Sequence, residues 1–123
     1  MLPNRALNEV DLHKFMEHIP HFRGIFMRDD LPKESFNIEC GIVNLDNSSG
    51  PGTHWVAYYK NKLNSQYFDS FGNLKPPVEL QRYLANNIIY NYNVCQKYDT
   101  FVCGHLCLIF LYNHMLHYNH LNL

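Results

Sequence analysis

The run Leu106-Cys-Leu-Ile-Phe-Leu111, entered from Cys103-Gly-His105, constrains this chain more than any other stretch. Six apolar residues in succession are too few to cross a membrane, and Asn113, His114 and His117 break the apolar character beyond Leu111. The run therefore predicts a buried helix, apolar round most of its circumference. Cys103 then falls at or just before the first turn. There the unpaired backbone N–H groups and the positive end of the helix dipole favour a thiolate. That position suits a nucleophile, although buried cysteines are also common as inert core residues.

The chain is 123 residues long, enough for one domain with a single modest core. Apolar residues make up 46% of it and charged residues 17%, which excludes a disordered chain. A net charge of -1 makes nucleic acid and anionic membrane poor partners. Met1-Leu-Pro-Asn-Arg-Ala6 lacks the apolar segment of a secretory signal. Cys40, Cys95, Cys103 and Cys107 are accordingly read as free thiols of an intracellular, reducing compartment, cytoplasm or nucleus, or of a virion.

Leu12, Phe15, Met16 and Ile19 mark an amphipathic helix over Leu7–Ile19, with Asn8 as N-cap and Pro20 as its stop. A strand over Phe22–Met27 leads into the turn Arg28-Asp-Asp-Leu-Pro32. Cys40–Leu45, His54–Tyr59 and Gln66–Ser70 read as three strands. The connections, turn-rich at 46–53 and polar at 60–65, predict an antiparallel meander. Pro77 opens a helix to about Asn86, and Ile88–Gln96 is a further strand. The expected fold class is α+β, a central and mainly antiparallel sheet with helices packed around it.

A thiolate nucleophile needs a base, a group to orient that base, and donors for an oxyanion. His54 begins one strand and Asp69 ends the next, so hairpin pairing brings them side by side, and an aspartate there fixes the imidazole tautomer. Gln96 offers an amide N–H which, with the Cys103 backbone N–H, can bracket a developing oxyanion. Taken one at a time, each has an ordinary structural explanation. His54 is a histidine beside a glycine-rich loop, Asp69-Ser70-Phe71-Gly72 a strand-ending turn, Gln96 an exposed glutamine, Cys103 a helix-start residue.

The ordered set is more specific than its parts. His54-Trp55 on a strand, then Tyr67-Phe-Asp-Ser-Phe-Gly72, then Gln96 with Cys103-Gly104 seven residues on, resembles the adenovirus-type cysteine proteases (adenain-like) and the wider ubiquitin-like-protein (ULP) protease clan. The segments Phe22–Pro32 and Cys40–Asn44 extend the resemblance upstream. It implies a single papain-like/ULP domain over 1–123, shorter at the C-terminus than the adenovirus enzyme. It also implies Cys103 as nucleophile, His54 as general base and acid, Asp69 as orienting carboxylate and Gln96 as oxyanion donor. Position 69 is Asp where the adenovirus enzyme has Glu; the wider clan uses Asp there. Trp55 and Gly52 would shape the substrate channel, against ordinary roles as sheet aromatic and turn residue.

No cofactor is implied, and no cysteine matches the family's peptide tether. The implied substrate is a polypeptide, either a viral or mobile-element precursor or a ubiquitin-like conjugate. The alternative is a catalytically inactive relative that binds a ubiquitin-like or viral tail. A metal centre built from Cys95, Cys103, His105, Cys107, His114, His117 and His120 is disfavoured. It has no Cys-x-x-Cys, and the apolar helix divides those residues between its faces.

Overall fold

The computed structural model describes residues 2–72, 74–91 and 101–116. In chain order they form α1 (Glu9–Met16), β1 (Phe22–Met27), β2 (Glu39–Asn44), β3 (Trp55–Lys60), β4 (Asn64–Phe68), α2 (Val78–Leu84), β5 (Asn87–Tyr90) and α3 (Cys103–Leu111). A wider π-helical turn, Tyr112–Leu116, continues α3.

The strands make one sheet in the order β1-β2-β3-β4-β5, so the class is α+β. The sheet is mixed rather than mainly antiparallel. The inner pairs β2–β3 and β3–β4 are antiparallel, and the outer pairs β1–β2 and β4–β5 are parallel. The outer strands differ because longer crossovers, residues 28–38 and the segment carrying α2, return the chain to the same end of the sheet.

Alternation along the strands divides the core into two layers. Cys40 and Ile42 of β2, with Ala57 and Tyr59 of β3, meet Leu12 and Met16 of α1 and Cys107, Leu108 and Leu111 of α3. On the opposite face Val43, Val56, Tyr58 and Tyr67 meet Leu80, Tyr83 and Leu84 of α2. Leu12, Met16, Leu111 and Met115 are fully buried, and each contributes about 1.5–3 kcal/mol of apolar transfer. Helices thus cover both faces of the sheet, and α3 lies against its central strand.

Helix α1 starts where its cap dictates. The Asn8 side chain accepts from the Asp11 N–H at 2.9 Å and the Asp11 carboxylate accepts from the Asn8 N–H at 3.0 Å. Leu7 therefore precedes the helix, and its buried side chain packs beside Gly104 of α3. Among the described residues no helix is long and apolar enough to cross a membrane.

Candidate active site

The β3–β4 register pairs Ala57 with Phe68 and Tyr58 with Tyr67. Continued beyond the strand ends, it sets His54 opposite Phe71 and diagonal to Asp69. The side chains follow that placement. His54 Nε2 lies 2.8 Å from Asp69 Oδ1, and the Phe71 ring stacks on the imidazole with centroids 4.2 Å apart and planes 8° from parallel. Asp69-Ser70-Phe71-Gly72 is also a tight turn, closed by the Gly72 N–H on the Asp69 carbonyl at 2.9 Å, with Gly72 at φ 76°. The ordinary and the chemical explanations of this tetrapeptide hold together: the turn is what aims the carboxylate.

Asp69 is held from several sides. Its Oδ1 also accepts from the Phe71 N–H at 2.9 Å. Its backbone N–H donates to Asn91 Oδ1 at 2.9 Å, and its carbonyl accepts from Asn91 Nδ2 at 2.8 Å. Asp69 is 1% exposed and His54 7%, so their contact is shielded from water. With Nε2 engaged by the carboxylate, Nδ1 is the nitrogen left for the sulfur.

Cys103 is the first residue of α3, after Val102 at the cap position. Burial would push its thiol up. The hydrogen bond with His54, the Trp55 backbone N–H, the imidazolium charge and the Gly104 N–H outweigh burial, and the thiol titrates below its ordinary value. For His54, burial disfavours the charged ring. Hydrogen bonds to Asp69 and Cys103, with the charges of both, overcome it and raise the imidazole to about 9. Both displacements favour a thiolate–imidazolium pair. The other two described cysteines are buried and behave oppositely. Burial, then the Glu39 charge, pushes Cys40 up to about 12, and burial pushes Cys107 well above the ordinary thiol range.

Cys103 opens onto a cleft of about 550 Å³. Ala6–Glu9, the glycine-rich wall Gly50–Thr53, Trp55 and Phe101 line it, so Gly52 and Trp55 border the same space as the sulfur. The glycine-rich wall is pinned from beneath: Asn44 Oδ1 accepts from Thr53 N–H at 3.0 Å and Asp46 Oδ2 from Gly52 N–H at 3.1 Å. Gly52 sits at φ 93°, and a Cβ there would meet Asn44 Nδ2 at 3.2 Å. Opposite, the Trp55 indole N–H donates to the Leu7 carbonyl at 3.0 Å, and His105 Nε2 lies 2.6 Å from the Pro3 carbonyl.

The structure thus brings Cys103, His54 and Asp69 together. Gln96 lies outside the described residues, as do Cys95, His117 and His120. The remaining members of the metal alternative go elsewhere: His105 to Pro3, Cys107 into the core, His114 Nδ1 to the Phe110 carbonyl at 2.9 Å. Among the described residues no group of three or more His, Cys, Asp or Glu side chains is arranged to hold a metal ion. Sequence reasoning passed over Phe71 and Asn91. Hairpin register carried a signal for the first; Asn91, inside a run of Asn and Tyr, carried none.

Compared with known proteins, the chain matches no family model and no curated relative.

Proposed function

We propose that this chain is a cysteine-type peptidase of the adenain-like/ULP kind, hydrolysing peptide or isopeptide bonds in a polypeptide substrate. One observation carries the reading. An imidazole bonded through Nε2 to a shielded carboxylate acts on a thiol at a helix start and lowers its titration, and that thiol faces a cleft. A nucleophile helix packed on a sheet that supplies base and carboxylate also agrees with a papain-like core.

The Cys103 thiolate attacks the scissile carbonyl carbon, and the oxyanion lies over the first-turn amides of α3. Gln96 is the further donor the family resemblance supplies. Collapse breaks the C–N bond, and the amine leaves with the proton from His54 Nδ1, giving a thioester. Water then attacks the thioester carbon and returns a proton to His54. The C–S bond breaks, releasing a carboxylic acid and restoring the thiolate. Asp69 holds the ring in the required tautomer throughout and stabilises the imidazolium. The substrate is a viral or mobile-element precursor or a ubiquitin-like conjugate, met in a reducing compartment that keeps the thiol free.

Fluorogenic peptides and ubiquitin-like conjugates bearing glycine before the scissile bond test this directly, alongside Cys103→Ala. Turnover by the parent and none by a folded Cys103→Ala supports the proposal. Tight binding of a ubiquitin-like protein without any cleavage by the parent replaces it with the inactive binding module.

A further inference from the structure

We propose that Asn91 is a positioning residue for the Cys103–His54 pair, acting through the backbone of Asp69; the inference rests on the peptidase reading of that site. The parallel β4–β5 ladder ends at Tyr67 opposite Tyr90. Beyond it Asn91 reaches across with its side chain: Oδ1 accepts from the Asp69 N–H at 2.9 Å while Nδ2 donates to the Asp69 carbonyl at 2.8 Å. A carboxamide carries an acceptor and a donor side by side, as a peptide group does, so this side chain stands in for one more residue of strand. Using both ends also fixes the amide orientation, since a flip would break both bonds at once.

What is held this way is a short lever. Asp69 is 1% exposed, and its Oδ1 serves both His54 Nε2 at 2.8 Å and the Phe71 N–H at 2.9 Å. Its carbonyl keeps a second donor, the Gly72 N–H at 2.9 Å, so loss of Asn91 falls hardest on the Asp69 N–H. Rotation about that peptide swings the carboxylate away from the imidazole. His54 is faced by Asp69 from the end of β4 and by Cys103 from α3; Tyr67 and Cys107, the other titratable groups near Asp69, are both raised by burial and then by neighbouring negative charge, so they stay neutral at neutral pH. The displaced carboxylate is therefore the main change the thiolate registers. A residue that only finished the sheet would affect stability and nothing else.

The test uses the full chain and site-resolved mass spectrometry of Cys103 alkylation by iodoacetamide from pH 5 to 10. Asn91→Leu keeps the branched outline and the heavy-atom count of the side chain and removes both hydrogen bonds. The midpoint of Cys103 reactivity is expected to move up by about one unit, a loss of roughly tenfold in rate at neutral pH. Peptide turnover is expected to lose kcat while KM stays the same, because Asn91 is not among the residues lining the cleft. Asn91→Ala, where water can enter the vacated space, is the second variant, read by the same criterion should Asn91→Leu fail to fold. A lowered Tm with an unmoved alkylation profile overturns the inference. The alkylation profile requires no turnover: a parent that cleaves nothing but shows acid-shifted Cys103 reactivity counts against the peptidase reading and leaves Asn91 testable.

Discussion

Asp69→Asn isolates charge from geometry at this site. In the serine-protease triad an amide at this position enforces the wrong histidine tautomer, with a loss of about 10⁴ in kcat. Here the Phe71 N–H also points at Oδ1, at 2.9 Å, so the oxygen of an asparagine is held where the carboxylate oxygen was. The imidazole therefore keeps its tautomer and loses only the negative charge. Its rise from 6.5 to about 9 corresponds to about 3 kcal/mol in favour of the imidazolium, shared between Asp69 and the Cys103 sulfur. Removing one charge while keeping the hydrogen bond is expected to take away about one to two units of that rise. The variant should lose roughly 10–100-fold in kcat/KM at pH 7, far short of a tautomer error.

The sign follows from the direction of the shift. The imidazolium persists in the parent until pH passes about 9, and in Asp69→Asn that upper limb moves down toward 6.5. Because the folded value of His54 is raised, its contribution to stability is complete below pH 6.5 and fades as pH rises through 9. The stability gap between parent and variant should accordingly be widest near pH 6. Stopped-flow hydrolysis and Cys103 alkylation across pH 5–10 read the kinetic side, and urea titrations at the two ends read the other. A variant whose pH profile superimposes on that of the parent would show that Asp69 does not act on His54 at all.

Glu39→Ala should cost at least 3 kcal/mol in urea unfolding. The fully buried carboxylate accepts from Tyr58, Tyr83, Arg23 and the Phe36 N–H, and all four donors lose their partner together. Gly41→Ala should be much worse than Gly104→Ala: a Cβ at 41 falls 2.6 Å from the Tyr58 ring, one at 104 only 3.2 Å from Leu7 Cβ, and Tm measured on both gives the order. Trp55 is the sole tryptophan, and its N–H is bound to the Leu7 carbonyl, so trimming residues 1–7 should red-shift its emission and slow turnover together; an unchanged spectrum would refute the tie.

The sequence exposed the site where chemistry and periodicity coincided. The apolar run after Cys103 predicted a buried helix, and that placed the thiol at its start. His54 and Asp69 were legible because a short polar connection joins their strands, and antiparallel pairing follows from that alone. The parallel edges were not legible: nothing in residues 28–38 declares a crossover, and β5 has just four residues, of which Ile89 is exposed. Asn91 was invisible for a different reason. Its value lies in meeting the peptide of Asp69, a contact between residues far apart in sequence that no local pattern encodes. The mixed sheet thus corrects the expected topology without disturbing the site, since all three site residues belong to the inner hairpin and the helix laid against it.

That hairpin also decides how robust the site is. Its turn is fastened by Asn61, whose Oδ1 accepts from the N–H groups of Leu63 at 2.9 Å and Asn64 at 3.0 Å. If the turn set the register, loosening it would let β4 slip and carry Asp69 past His54. Burial argues otherwise. Ser65 and Tyr67 point inward while Gln66 and Phe68 lie partly exposed, so a one-residue slip would exchange these faces and expel Tyr67, which is 2% exposed, from its place against Leu80 and Tyr83. That penalty exceeds two surface hydrogen bonds worth about 0.5–1.5 kcal/mol each. Asn61→Ala is therefore expected to lower unfolding free energy by about 1–3 kcal/mol and to leave the pH profile of Cys103 alkylation where it was. A shifted profile in a folded Asn61→Ala protein would mean that the turn, rather than the core, holds the carboxylate to the imidazole.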